Sequence, residues 1–151
     1  MTTDNKQPAI TSGFTLDHVG VSVSNLNRSI EFYKKNFGFN VERLIELPQR
    51  NLRVALLQKA GFTIEMLQFA DALPLPDYRK TMETEGKTIG VKHFCMRVND
   101  IQAASDFLKR NGVKFDSEVT VGVRGLRRFF VKDPDGILVE LSEGPKKIKK
   151  W

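Results

Sequence analysis

Val19, Val21 and Val23 alternate with His18, Gly20 and Ser22, the period-two pattern of a strand with one buried face. The pattern then changes. Leu26, Ile30, Tyr33 and Phe37 recur at steps of three and four, which places them on one stripe of a helix. Ser24 and Asn25 precede that stripe and offer an N-cap, because a short side-chain oxygen can accept an orphan backbone N–H. Gly38 follows it and suits the left-handed residue that ends a helix. Residues 41–47, 51–58 and 62–69 read as strands, with turns at 48–50 and 59–61.

The same order returns further along. Shifted by 75 residues, HVGVSVSNLNRSIEFYKKN from His18 falls on HFCMRVNDIQAASDFLKRN from His93. Val23 meets Val98, Phe32 meets Phe107 and Asn36 meets Asn111, and GFTIE from Gly61 meets GILVE from Gly136. The second copy predicts a strand at 91–98, a helix at 101–110, and strands at 114–123, 126–132 and 137–142. Asp133-Pro134-Asp135-Gly136 is a strong turn, with proline pre-set for its second position. The chain therefore reads as α+β, two tandem βαβββ modules at 14–70 and 91–143 in one domain spanning 14–143. A proline-broken, then charged linker at 71–90 is long enough to cover a substrate.

Composition narrows the function. A chain of 151 residues with 40% hydrophobic and 28% charged residues is globular. No apolar run approaches the roughly 18 residues of a membrane span. Residues 1–13 are polar, read as a disordered arm, and lack a signal-peptide pattern. One cysteine, Cys95, excludes an intramolecular disulfide, so a reducing cytoplasm is expected. The net charge is +6, but Lys146, Lys147, Lys149 and Lys150 crowd the 144–151 tail. No basic stripe interleaved with aromatics remains, so neither nucleic acid nor membrane is an expected partner.

The chemistry lies in the repeat. The chain has two histidines, and each is followed 47 residues later by a glutamate: His18 by Glu65, His93 by Glu140. Each pair joins the first and last strands of its module, on the face opposite Val19, Val21, Ile64 and Met66 or Phe94, Met96, Val139 and Leu141. If the modules pack side by side, the four side chains converge. Two imidazoles and two carboxylates suit one divalent ion per site, Zn²⁺, Ni²⁺, Co²⁺ or Mn²⁺. Two adjacent positions would stay open for a substrate with vicinal oxygens. The ion would act as a Lewis acid toward an enolate or enediolate, while a carboxylate moves the proton next to the carbonyl.

LDHVGVSV, SIEFYKKNFGF, FTIEML, VKHFCMRVNDI and FFVKDPDGILVEL resemble the vicinal-oxygen-chelate superfamily of glyoxalase I, methylmalonyl-CoA epimerase, extradiol dioxygenases and resistance proteins. The resemblance implies an eight-stranded, half-open mixed barrel around a metal at His18, Glu65, His93 and Glu140. It implies that Glu140 is the catalytic base, with Glu65 able to serve the opposite face. It also implies modules that pair within a chain or between two chains of a homodimer. DPDG resembles glyoxalase I-type lyases, whereas LIELPQRNLRVALL and YRKTMETEGKTIGVKH resemble the epimerase. The glyoxalase-type lyase is the leading expectation, ahead of an acyl-CoA epimerase and of a binding protein or dioxygenase. The substrate is a small molecule, expected to be anionic. Counting back from the DPDG turn sets Phe129 beside Glu140 and Arg127 beside Ser142. Arg127 is therefore expected to hold the anionic end, with Arg97, Arg79 and Lys87 as further candidates.

Overall fold

The structure is a computed structural model that describes residues 14–144; the expected N-terminal arm and nearly all of the basic tail lie outside the described residues. The first module runs β1 (His18–Ser22), α1 (Leu26–Phe37), β2 (Asn40–Leu47), β3 (Leu52–Lys59) and β4 (Phe62–Phe69). The linker contains a short 3₁₀ turn at Asp77–Arg79 and one turn of helix, α2 (Met82–Glu85). The second module runs β5 (Phe94–Val98), α3 (Ile101–Arg110), β6 (Lys114–Phe115), β7 (Thr120–Val121), β8 (Arg127–Lys132) and β9 (Leu138–Glu143). The single strand expected at 114–123 is thus two short pieces. Asp116 and Ser117 interrupt it by taking the carbonyl of Phe130 with both backbone N–H groups.

The helix ends follow the side-chain chemistry. Asn25 accepts from the backbone N–H of Arg28, and Asp100 accepts from that of Ala103. Gly38 closes α1 at φ 68°, its N–H donating to the Lys34 carbonyl while Phe39 N–H donates to that of Tyr33. Ala60 and Gly61, at φ 49° and 80°, make the tight turn between β3 and β4. Both central residues at positive φ match the right-handed twist of the hairpin.

Each module forms one sheet, in the orders β1-β4-β3-β2 and β5-β9-β8-β6, with β7 also on β8. β1 lies parallel to β4 and β5 parallel to β9, joined through the helices; the other pairings are antiparallel. β1 and β5 each pair on one side only, leaving an open edge on both sheets.

One core serves both modules. Val21, Ile64 and Met66 of the first sheet join Val139 and Leu141 of the second in a single buried cluster with Leu26, Tyr33, Ile101 and Leu108. Tyr33 of α1 stacks on Phe94 of β5 at 6.2 Å, and Phe62 lies 6.0 Å from the same ring. Asn111 donates to its repeat counterpart Asn36 at 3.1 Å, which puts the pseudo-twofold axis between them. The second module's turn grips the first module's helix. Asp135 accepts from Ser24 N at 2.9 Å, from the Ser24 hydroxyl, and from Arg28 Nη2 at 2.7 Å.

Asp133 is the polar centre of that turn. Its carboxylate accepts backbone N–H groups from Asp135 and Ile137 at 2.9 Å and the Tyr33 hydroxyl at 3.3 Å. Burial pushes its pKa up from 3.8 to about 6, against those hydrogen bonds. The folded state therefore binds the proton more tightly than the unfolded chain. The group's contribution is fully present below about pH 4 and is lost as pH rises through about 6. Asp133→Asn keeps an acceptor for the two backbone N–H groups and removes the buried charge. The variant is expected to melt higher than wild type at pH 8 and to lose the rise in wild-type stability between pH 7 and 5, read by thermal denaturation across pH.

Candidate metal centre

His18 opens β1 opposite Thr63, and Glu65 sits mid-β4 two residues further along, opposite Gly20. His18 Nε2 lies 3.5 Å from Glu65 Oε2. On the other side of the ring, Nδ1 meets the Asp17 carboxylate at 2.8 Å. That hydrogen bond, with help from Glu65, raises the His18 pKa above 6.5 against a smaller effect of burial. A partner on Nδ1 leaves Nε2 facing Glu65, the arrangement that orients a ligating imidazole. Asp17 was not among the sequence-derived candidates; its signal was adjacency to His18.

The second pair is tighter and deeper. His93 directly precedes β5, and its Nε2 lies 2.9 Å from Glu140 Oε2 on β9. The side chains of His93 and Glu140 are 25% and 16% exposed, against 43% and 34% for His18 and Glu65. The His93 ring stands edge-on to Phe130 at 5.0 Å, and its Nδ1 is buried without a partner. A cavity of about 230 Å³ opens here, lined by His93, Glu140, Cys95, Arg128, Met82 and Ser142 among others. Cys95 takes the place that Gly20 holds in the first module, beside the glutamate. Burial, then the Glu140 charge, pushes its thiol up to about 11, so it stays protonated at neutral pH and is a small apolar neighbour rather than a thiolate ligand.

The four expected ligands do not meet within one chain. Among the described residues, no three His, Cys, Asp or Glu side chains gather into a metal-sized cluster. The reason is the shared core: both sheets turn their helix-side faces inward, so both His/Glu pairs look outward.

The register corrects the expected arginine. Glu140 pairs with Phe130 and Ser142 with Arg128, one residue away from the sequence count. The turn is one residue longer than its DPDG letters suggest, because Asp133 N bonds Ile137 O at 3.0 Å and Lys132 pairs with Leu138. Arg128 therefore lies on the Glu140 face, with Nε 3.7 Å from Glu140 Oε1 and its guanidinium over the Phe130 ring at 4.8 Å. Arg127 falls on the opposite face and meets Glu143 at 3.8 Å.

The other candidates separate. Arg97 pairs across from Ser142 on the Glu140 face. Arg79 is bound to Glu85, which is 1% exposed, at 2.7 Å. This pairing holds the Glu85 carboxyl below the usual carboxylate range, and Lys92 approaches it at 3.5 Å. These three pin the linker beside His93, and Met82 N is held by Asp116 at 3.0 Å. Arg79 is thus a structural partner on the linker side. Lys87 lies exposed just past α2 and reaches neither pair.

Residues 15–141 match the sequence profile of the Glyoxalase/Bleomycin resistance protein/Dioxygenase superfamily. The chain belongs to this superfamily. The mitochondrial methylmalonyl-CoA epimerase of Homo sapiens is 29% identical over 132 residues, 85% of this chain and 73% of the relative. Lactoylglutathione lyase GLX1 of Arabidopsis thaliana is 31% identical over 130 residues, 85% of this chain but 44% of the lyase. A glyoxalase family protein from Enterococcus faecalis superposes with a TM-score of 0.74 at 25% identity, covering 85% of this chain and 97% of that one. The half-open, two-module α+β fold of the superfamily is the fold observed. Among the described residues, no helix is long and apolar enough to cross a membrane.

The Asp17 contact can be tested without any ligand. The chain's two histidines give two resolvable imidazole signals in a proton NMR titration. In Asp17→Asn the His18 pKa is expected to fall toward 6.5. An unmoved His18 titration would show that the contact is not populated in solution.

Proposed function

We propose that this chain is a divalent-metal-dependent enzyme that moves a proton on a carbon next to a carbonyl, with each active site completed by a second copy of the chain. One observation carries the reading: two His/Glu pairs in the same repeat phase, each with imidazole Nε2 facing a carboxylate at 3.5 and 2.9 Å, on outward faces. Two donors are too few to hold a catalytic ion, and four of this kind fit one.

The edges support the second copy. β1 and β5 have open hydrogen-bonding sides next to the two histidines. Leu16 and Val91, each two residues before its histidine, are 106% and 77% exposed. Unpaired edges and exposed apolar side chains favour pairing with another strand. β1 of one chain laid along β5 of its partner would cover both and bring His18 and Glu65 to His93 and Glu140 of the partner chain. A twofold dimer would hold two such sites.

A divalent ion held there supplies Lewis-acid polarisation of the substrate's carbonyl oxygen. The carboxylates move the proton. Glu140 is the deeper one and, with His93 at 2.9 Å, is fixed in place; it takes the proton from one face of the carbon. Glu65 of the partner chain would stand on the other side of the site and can return a proton to the opposite face. That outcome is epimerisation, which we place first because the human epimerase is matched over most of its length. A glyoxalase-type lyase, which returns the proton to the neighbouring carbon, is the second reading; the lyase relative supports it.

Two experiments test this. With methylmalonyl-CoA in deuterated water, metal-loaded protein is expected to wash deuterium into the carbon next to the thioester. Glu140→Gln is expected to slow that exchange by about 10²-fold or more. Full exchange in Glu140→Gln would remove Glu140 from the mechanism. The second experiment mixes two crippled chains, His18→Ala and His93→Ala, after unfolding and refolding together. If sites form between chains, each mixed dimer regains one intact site, and about one quarter of all sites return. If sites form within a chain, activity and metal content stay at the level of the separate variants.

A further inference from the structure

Two guanidiniums on the Glu140 face of the second sheet, and a third from the turn between β7 and β8, stand against one carboxylate. Arg97 and Arg128 flank Ser142 across β5-β9-β8, and Arg124 lines the same cavity as Glu140 and Arg128. Among the described residues Arg97 and Arg124 enter no ion pair, and the one carboxylate near Arg128 is Glu140 at 3.7 Å. Glu143, the next acidic residue, faces the other way and is taken by Arg127.

Two glycines make room for this cluster. A Cβ on Gly122 would come within 2.6 Å of Arg128 Cδ and closer still to its Nε. A Cβ on Gly144 would come within 2.9 Å of Arg97 Cδ. Neither glycine is at positive φ, so it is the present placement of the arginine side chains, not the backbone, that a Cβ at either place would disturb. The Arg128 guanidinium also lies over the buried Phe130 ring, 4.8 Å from its centroid, which limits the freedom it would lose on binding. Arginines that merely solvate a rim need neither clearance nor a ring beneath them.

We propose that Arg128 and Arg97 form a site for an anionic oxygen group on the substrate, a carboxylate or a phosphate, at a fixed distance from the reacting carbon. Ser142 is two residues from Glu140 on the same face, so the anion sits about 7 Å along the strand from the catalytic carboxylate. Guanidinium groups on either side of Ser142 give a carboxylate or phosphate two-point hydrogen bonds, and the serine hydroxyl adds a third donor. The substrate class that follows is an acyl or 2-oxo compound with a second, remote anionic group. This deepens the proposed reaction and rests on substrate binding at Glu140, but the site itself can be tested without metal or turnover.

The test uses metal-free protein and the arginine Nε–H signals in NMR. Succinate and inorganic phosphate are the probes, with succinamide as the uncharged control. Succinate or phosphate is expected to shift the Arg128 and Arg97 signals saturably, and succinamide to leave them unmoved. The tighter of the two anions identifies which group the substrate carries. Arg128→Ala should weaken binding by about tenfold to a hundredfold, the scale of a charge-assisted pair, and Arg128→Lys should weaken it less. Gly122→Ala should weaken it by several-fold with both arginines still present, and Arg127→Ala should leave it unchanged. Equal shifts by succinate and succinamide, or unaltered binding in folded Arg128→Ala, would overturn the site. Anion binding without deuterium exchange would instead leave this site standing and remove the proposed reaction.

Discussion

A strand has two faces, and a helix can cover only one of them. Every placement of chemistry in this molecule descends from that constraint. In both modules the helix covers the face that carries Val21, Ile64 and Met66 or Val139 and Leu141. Histidine and glutamate are then left on the uncovered face by alternation alone. Merging the two covered faces into one core, fastened by Tyr33 on Phe94 and by Asp135 on Ser24 and Arg28, turns the uncovered faces away from each other. The shared core keeps the two His/Glu pairs apart.

The halves have not stayed equivalent. The first pair is shallow, with Asp17 backing its histidine and Gly20 beside its glutamate. The second is deeper, lies among Phe130, Cys95 and Arg128, and is fenced by the linker that Glu85 pins down. An internal repeat supplies two copies of a donor pair at no extra cost in folding. Divergence around them then assigns one to an open position and the other to an enclosed one, where fields act through less water and charges matter more.

Much of this was legible from the residues. The repeat, the strand and helix assignments, the four ligand candidates and the face on which they stand follow from period-two and period-four patterning and from the matched spacing of His18 to Glu65 and His93 to Glu140. What the letters did not carry was how the modules join. The joining depends on long-range fits such as Tyr33 to Phe94 and Asp133 to Tyr33, each between residues that look like ordinary core or turn positions in isolation. The arginine was misplaced for a smaller reason. A carboxylate that bonds backbone N–H groups two and four residues ahead lengthens a hairpin loop by one, and sequence alone does not distinguish that from the shorter turn.

That loop has a consequence for how such a site can change. The loop between β8 and β9 sets the phase of β8 against Glu140, and phase in a strand is binary: odd or even. Removing one residue there would rotate the whole of β8 by half a period in a single genetic event, withdrawing Arg128 and Phe130 from the cavity and offering Arg127 and Phe129 in their place. The His93/Glu140 pair would be untouched. The RRFF stretch, with its doubled arginine and doubled phenylalanine, reads nearly alike in either phase. A lineage carrying it can gain or lose a loop residue here and still present a cation and an aromatic ring to whatever its carboxylate acts upon.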